Sequence, residues 1–269
     1  MLVDFHSHTR ASDGALEPAA LAASMCKRGV QIFSITDHDS LDAYDAVGTE
    51  IEGARVVVGI EINTTYKGNE VHILGYGLPL GDSVVRRTID ANRAARTDRA
   101  EAMIGQLKRA GYDLSMDDVR AQAGPEAALG RPHVAKALVQ LGITRSLETA
   151  FRDFLTPGKP AYVPSHHIKP QEAIAAIARS GGVPVLAHPG RLHDENLIDE
   201  MAEAGIQGLE VFYRTHRPGQ VARYRERAAE LGLVMTAGSD FHDYAYSPGG
   251  VGMEVEEADL RPFLDLVLE

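Results

Sequence analysis

The chain has one cysteine and no tryptophan among 269 residues, and aromatics make up 6% of it. With Cys26 alone, no internal disulfide forms and no thiolate zinc ribbon can be built. Cys26 sits in the helix-like segment LAASMCKRG, where it reads as a small core residue. Long apolar runs are also missing; the longest are too short and too interrupted to span a bilayer. No basic, apolar leader precedes the first histidines, so a cytoplasmic enzyme without a membrane segment is expected. Positive charge is scarce too, with 27 Lys plus Arg against 38 Asp plus Glu and a net charge of -11. That balance excludes coating nucleic acid or an anionic membrane by bulk charge. Small anionic substrates stay open, because bound cations would reverse the local field.

What the chain does have is enough apolar residue, 44%, for a large core that buries on the order of three quarters of the unfolded surface. From Met1 to about Leu78, short apolar strands alternate with amphipathic helices: LVDFH, EPAALAASMCKRG, QIFSITDH, LDAYDAV and ARVVVGIEI. After about Ala161 the alternation resumes with PQEAIAAIARSGG, VPVLAH, LIDEMAEAG, GLEVFY, a helix around Val221 to Leu231, and LVMTAGSD. Strands separated by helices predict an α/β fold with parallel strands. Ionisable residues gather at the ends of many strands, which favours a barrel over an open sheet with one switch-point crevice.

Between about residues 80 and 161 the strand signal stops. The segment SVVRRTIDANRAARTDRAEAMIGQLKRAG predicts one long helix ended by Gly111, followed by shorter helices in SMDDVRAQA, RPHVAKALVQLG and SLETAFRDFL. Ser115 and Asp118 have capping-box spacing. Residues 80–161 carry 13 Lys plus Arg against 10 Asp plus Glu, so +3, leaving -14 for the rest. Residues 1–79 and 162–269 are therefore expected to form the barrel, with 80–161 as a helical lid over its mouth. Most of Arg86, Arg87, Arg93, Arg96 and Arg99 are expected to coat a solvated helix face.

The chemistry-bearing residues are His6, His8, Asp13, His38, Glu61, His72, His188, Asp240 and His242. Imidazole plus carboxylate is the ligand set of Zn, Mn and Fe. His6 and His8 are two apart in a strand and so point to one side, and Asp240 and His242 repeat that spacing. Gly14 permits a turn that swings Asp13 toward the same place, although Asp13 alone reads equally as a turn or cap residue. Asp37 and Asp39 flank His38, either orienting an imidazole or capping the next helix. Glu61 closes an apolar run, where a buried carboxylate needs counter-ions that two bridged cations supply. His72, inside EVHILGYG, reads alone as an ordinary core histidine.

Taken together, HSHTRASDG, TDHDS, GIE, EVHILGYG, RPHVAKAL, GKPAYV, LAHPGR, GLEVFY and GSDFH resemble the PHP (polymerase and histidinol phosphatase) phosphoesterase superfamily, in order along nearly the whole chain. The subgroup resembled holds nucleoside 3',5'-bisphosphate phosphatases and 5'-to-3' RNA exonucleases. The resemblance implies a distorted (β/α)7 barrel with three divalent ions, Mn, Fe or Zn. It implies His6, His8, Glu61 and Asp240 for the first ion, Glu61, His72 and His188 for the second, and Asp13, His38 and His242 for the third. Glu61, Asp240 and His188 would then be the catalytic core. Two positions depart from the pattern: Asp13 stands where some relatives carry histidine, and Asp243 follows His242 where relatives often have glycine.

Clustered divalent ions lower the pKa of shared water toward neutrality, so phosphoester hydrolysis needs no covalent nucleophile. Phosphate binding calls for cationic groups beside the metals, and Arg131, His133, Lys159, Arg191 and His216 are the candidates, with His193 weaker. His166 and His167 match no ligand position and read as a loop pair. The expected substrate is a phosphorylated small molecule or nucleotide, foremost the 3'-phosphate of a nucleoside 3',5'-bisphosphate. Alternatives are 5'-to-3' exonuclease action on short RNA, a histidinol-phosphatase-like activity, and C–N hydrolysis by an amidohydrolase, which often needs a strand-end lysine absent here. No obligate protein partner is indicated.

Overall fold

In the computed structural model, which describes every residue except Pro125, Glu126, Tyr246 and Glu269, the strands form two five-stranded sheets flanked by helices. The first half runs β1 (Leu2–Asp4), α1 (Pro18–Arg28), β2 (Ile32–Phe33), α2 (Ala43–Val47), β3 (Glu50–Ile51), β4 (Ala54–Val56), β5 (Gly59–Tyr66) and β6 (Asn69–Tyr76). The second half holds α7 (Pro170–Arg179), β7 (Val183–Leu186), α8 (Asn196–Glu203), β8 (Gly208–Tyr213), α9 (Pro218–Leu231), β9 (Val234–Gly238), β10 (Met253–Glu254) and α10 (Glu257–Leu268). One sheet has the order β10-β1-β2-β4-β3 and the other β5-β6-β7-β8-β9.

The helices start and stop where the residues dictate. Pro18 opens α1 with its φ already helical, and Gly29 ends it in the left-handed region at φ 80°. Leu21 and Met25, four apart, bury one face.

The expected mixed α/β class holds, with two corrections. First, strand direction is not uniformly parallel. β6 runs antiparallel to both β5 and β7, because Lys67 (φ 50°) and Gly68 (φ 79°) make a two-residue hairpin turn between β5 and β6. Second, ARVVVGIEI is not one strand. It breaks between β4 and β5, where the Tyr44 hydroxyl accepts from Gly59 N–H at 2.8 Å and donates to a carbonyl, that of Ile35 lying 2.7 Å away. Backbone bonds join both edges of the second sheet to the first. Phe5 N–H donates to Ala237 O at 2.9 Å and Asp240 N–H to His6 O at 2.8 Å, while Asp39 N–H donates to Glu61 O at 2.9 Å.

Beneath the sheets, Phe5, Tyr76 and Phe263 pack edge to face, with centroids 5.0 to 6.3 Å apart. All three are fully buried, worth roughly 1.5–3 kcal/mol apiece in apolar burial. This plug keeps α10 against the floor of the strands.

Between the halves lie α3 (Ser83–Arg109), α4 (Met116–Arg120), α5 (Arg131–Gln140) and α6 (Leu147–Ala150), the last continuing as a π-helical turn over Phe151–Leu155. Asp82 caps α3 by accepting from Val84 and Val85 N–H, and Ser115 with Asp118 forms the expected capping box. These helices have an apolar cluster of their own, built from Met103, Leu107, Val134, Leu138, Phe154 and Leu155 among others. The expectation that the α3 arginines are solvated fails for Arg93, Arg96 and Arg99. Arg93 pairs with Asp42 and donates to Asp39 O, Arg96 pairs with Asp39, and Arg99 pairs with Glu70. Together with Asn92, which donates to Asp39 Oδ1 and Asn63 O, they bind α3 to the loop after β2 and to the β5–β6 hairpin. Among the described residues, no helix is long and apolar enough to cross a membrane.

Candidate metal centre

All nine candidate ligands come together, although they span the chain from residue 6 to residue 242. His6 and His8 follow β1, His38 follows β2, Glu61 and His72 face each other from β5 and β6, His188 follows β7, and Asp240 and His242 follow β9. Glu61 is the hub. Its Oε1 lies 2.7 Å from His72 Nδ1 and 3.1 Å from His188 Nε2; its Oε2 lies 2.9 Å from His38 Nδ1, 3.2 Å from His8 Nε2 and 3.3 Å from His6 Nε2. Asp240 Oδ1 stands 3.3 Å from His6 Nε2 and 3.2 Å from His8 Nε2. Asp13 Oδ1 lies 3.2 Å from His242 Nε2 and 3.9 Å from His8 Nδ1, with Oδ2 3.9 Å from His38 Nε2.

Four sets converge tightly enough to surround one cation each: His8, Asp13, His38 and His242; His6, His8 and Glu61; His6, His188 and Asp240; and His38, Glu61 and His72. The grouping shares residues more widely than the sequence-based assignment, with His188 facing His6 and Asp240 as well as Glu61. The donor set suits divalent cations on chemical grounds. Among the described residues, His8 Nδ1, His38 Nδ1 and Glu61 Oε2 are buried without hydrogen-bond partners. Buried polar atoms are rarely left so, and cations held by more than one of these sets would give them partners.

The local backbone is built to bring these groups inward. His188 (φ 28°) and Asp240 (φ 51°) hold left-handed conformations that cost a side-chain-bearing residue energy, and such strain concentrates at functional positions. Gly14 is required beside Asp13, since a Cβ there would lie 2.4 Å from the His8 carbonyl oxygen. Gly238 is required as well: a Cβ would come within 2.2 Å of His6 Cβ and 2.5 Å of Glu210 Oε1.

Electrostatically the site is an imidazole and carboxylate lattice out of water. Burial alone would raise the Glu61 carboxyl, but His38, His72 and His6 hold it well below its usual range. Asp13 and Asp240 are held down in the same way against burial, chiefly by His242 and by His6 respectively. Burial pushes the His8 imidazole down, yet Asp240 and Glu61 outweigh it and bring it up to about 10. For His38 and His188 burial prevails and lowers the ring.

The supporting contacts include several that the sequence reading missed. Glu210, in the middle of β8, places Oε1 2.9 Å from His6 Nδ1 and accepts the His188 backbone N–H on Oε2 at 2.6 Å. Tyr213 donates its hydroxyl to Asp240 Oδ2 at 2.7 Å, and Asn63 Nδ2 lies 3.2 Å from His72 Nε2. A carboxylate inside the apolar run GLEVFY was the available signal for Glu210. Asp37 and Asp39 do neither of the jobs expected of them. Asp37 accepts from Thr9 N–H and from the Thr9 and Ser12 hydroxyls, which fixes the loop carrying Asp13. Asp39 accepts from Asn63 N–H, Asn92 and Arg96.

The phosphate-binding candidates divide. Arg191 reaches the cluster, donating from Nη1 to Asp240 Oδ2 at 3.0 Å. Arg131 lies beyond His72, donating to Glu70 Oε2 at 2.6 Å. His133 is 1% exposed and both ring nitrogens are engaged, Nδ1 accepting from Gly130 N–H and Nε2 lying 2.9 Å from Ser12 O; it is a strut rather than a substrate contact. His216 is likewise engaged, donating from Nδ1 to Val211 O and accepting Gly190 N–H on Nε2, so it fixes the turn that carries Arg191. It lines an open cavity of about 580 Å³ together with Thr215, Arg217, Gln220 and Arg223. Lys159, His166 and His193 are exposed and make no side-chain hydrogen bond among the described residues.

No protein-family model matches the chain. It is 32% identical over 267 residues to a 3',5'-nucleoside bisphosphate phosphatase of Chromobacterium violaceum, covering 97% of this chain and 92% of that protein. It is 31% identical over 253 residues to the 5'-3' exoribonuclease Rnm of Escherichia coli, covering 90% and 85%. Among solved structures, a metal-dependent phosphoesterase candidate from Bifidobacterium adolescentis superposes with a TM-score of 0.85 at 31% identity, over 99% of this chain and 96% of the other. A sulfate-bound, metal-free Chromobacterium violaceum structure named an amidohydrolase gives 0.88 at 31% identity, over 98% and 95%.

Proposed function

The chain belongs to the PHP family of metal-dependent phosphoesterases, hydrolases of phosphoric ester bonds, and from that premise we propose that it removes the 3'-phosphate of nucleoside 3',5'-bisphosphates. The observation that carries the reading is the division of Glu61, Oε1 facing His72 and His188, Oε2 facing His38, His8 and His6. One carboxylate set between two groups of imidazoles is the arrangement that bridges two ions. The two linked sheets then read as a distorted (β/α)7 barrel with the cluster at its mouth, and α3 to α6 as the helical lid. The C–N hydrolase alternative is disfavoured by the site: no lysine stands among the ligands, and the donor set extends past a two-ion site to Asp13, His38 and His242.

Divalent ions bound there, three in this proposal and Mn, Fe or Zn in kind, would supply Lewis acidity toward phosphate oxygens and water of lowered pKa. The residues supply the rest. His6, His8, Glu61 and Asp240 would hold the first ion, Glu61, His72 and His188 the second, and Asp13, His38 and His242 the third. Glu210 fixes the His6 ring so that Nε2 faces inward. Tyr213 and Arg191 both donate to Asp240 Oδ2, leaving Oδ1 turned to His6 and His8. The Arg191 guanidinium, 61% exposed, is placed to exchange that contact for two parallel bonds to an incoming phosphate. Arg131 and Lys159 would bind anionic groups farther out.

Release of 5'-nucleotides from short RNA is the second reading, favoured by the Rnm relative and chemically the same P–O cleavage with a longer leaving group. Cytoplasmic placement belongs to the same proposal. The test is a phosphate- and nucleotide-release screen with Mn present, on a nucleoside 3',5'-bisphosphate, a 5'-mononucleotide, histidinol phosphate and a short 5'-phosphorylated RNA. The bisphosphate should lead in kcat/KM. Histidinol phosphate in the lead would overturn the nucleotide assignment.

A further inference from the structure

Behind the metal centre lies a carboxylate that the ligand set does not include. Asp4, the last residue of β1, is 0% exposed and precedes His6 by two residues. Every hydrogen bond it makes comes from a donor. Oδ1 accepts from Ser239 N–H at 2.9 Å and from His6 N–H at 3.3 Å; Oδ2 accepts from the Ser239 hydroxyl at 2.6 Å and from Gly252 N–H at 2.7 Å. Three N–H groups and a hydroxyl suit an ionised carboxylate, which has acceptors only. None of these four donors carries a charge. Arg214 is near enough to interact with the carboxylate, yet it donates from Nη2 to Gly252 O at 2.9 Å instead.

A charge buried among neutral donors is unfavourable for folding. Two features show what it gains in this place. The first is position. The four bonds join the end of β1, the end of β9 and the residue just before β10. Ser239 immediately precedes Asp240, which holds its left-handed φ of 51° while its own N–H donates to His6 O at 2.8 Å. Asp4 therefore grips the backbone on both sides of the seam between His6 and Asp240, and a strained residue persists only where its surroundings hold it so. The second feature is charge. Out of contact with water, the carboxylate is weakly screened, and it favours a cation held by the residues it braces.

We propose that Asp4 is a positioning residue for the first ion: it locks His6 and Asp240 at the seam between the two sheets and sets a buried negative charge behind them. This rests on the metal-centre part of the phosphoesterase reading. It separates two quantities that a purely structural clamp would not. Removing the charge weakens ion binding, whereas the ion-free protein, relieved of a buried charge but left with one NH2 group facing an N–H donor, keeps its stability.

The test is Asp4→Asn, with Mn binding measured by calorimetry and thermal unfolding of the ion-free protein followed alongside. One step of the Mn isotherm should weaken about 10- to 100-fold, as for loss of a contact that supports a metal ligand, with the ion-free melting temperature within a few degrees of the wild type. An isotherm equal to that of the wild type overturns the inference alone. Should Asp4→Asn not fold, or melt far lower, Ser239→Ala decides: it removes one bond to Asp4, leaves every ligand in place and should weaken the same step about 3- to 10-fold. Unchanged binding in that variant overturns the inference. A wild-type protein that binds no Mn overturns the metal-centre reading and the inference with it.

Discussion

Glu210 holds the His6 ring from behind, its Oε1 2.9 Å from Nδ1 in a contact with no exposure to water. The same carboxylate takes the His188 backbone N–H, so one residue sets two candidate ligands. Glu210→Gln keeps the shape and removes the charge. Divalent-ion affinity should fall about 10- to 100-fold, measured by competition with a chelating dye. Unchanged affinity would show that Glu210 serves packing alone.

Arg191 separates activity from stability. Its pair with Asp240 is largely exposed on the arginine side, and such pairs contribute at most about 1 kcal/mol to folding. Arg191→Met should leave the melting temperature within a few degrees while lowering kcat/KM on the order of 10- to 100-fold through lost phosphate contacts. Equal losses in both, followed by steady-state kinetics and thermal unfolding, would argue against a substrate role.

Acid sensitivity should trace in part to His133. Burial brings its ring down to about 4 from an ordinary 6.5, so the folded protein holds it neutral. Between those values the unfolded chain binds more protons, and stability rises with pH. The contribution is complete above about 6.5 and lost as pH falls through about 4, worth on the order of 3 kcal/mol. His133→Gln should flatten that limb of a urea-unfolding series from pH 7 to 4. A limb as steep as in the wild type would place the titration elsewhere.

Cation binding should be proton-linked. The His8 ring, at about 10 beside Asp240 and Glu61, carries a proton at neutral pH in the ion-free protein, and a ligand nitrogen must give it up. Affinity should therefore strengthen as pH rises from 6 toward 9, with proton release seen as a buffer-dependent heat in calorimetry. Binding heats independent of buffer would contradict this linkage.

Much of the site was legible because ligand pairs at strand ends leave a local trace: His6 with His8, His38 after a strand, His188 in LAHPGR, Asp240 with His242. The helical segment was legible from periodicity, and the Ser115–Asp118 box from spacing. What escaped the reading depended on long-range pairing. The reversal of β6 turns on the Lys67–Gly68 hairpin, and the break before β5 on the Tyr44 hydroxyl, fifteen residues from the Gly59 amide that donates to it. Glu210 gives no local hint that its partner is residue 6. Arg96 and Arg99 look like a solvated helix face until Asp39 and Glu70, far away in sequence, are seen beneath them.

The most direct measurement is elemental analysis of the purified protein before and after exhaustive chelation, with phosphate release followed alongside. The account predicts about three divalent ions per chain, held by imidazole and carboxylate, with activity lost on their removal and restored by adding Mn. A preparation without bound ions that hydrolyses phosphoesters undiminished in the presence of chelator would contradict it.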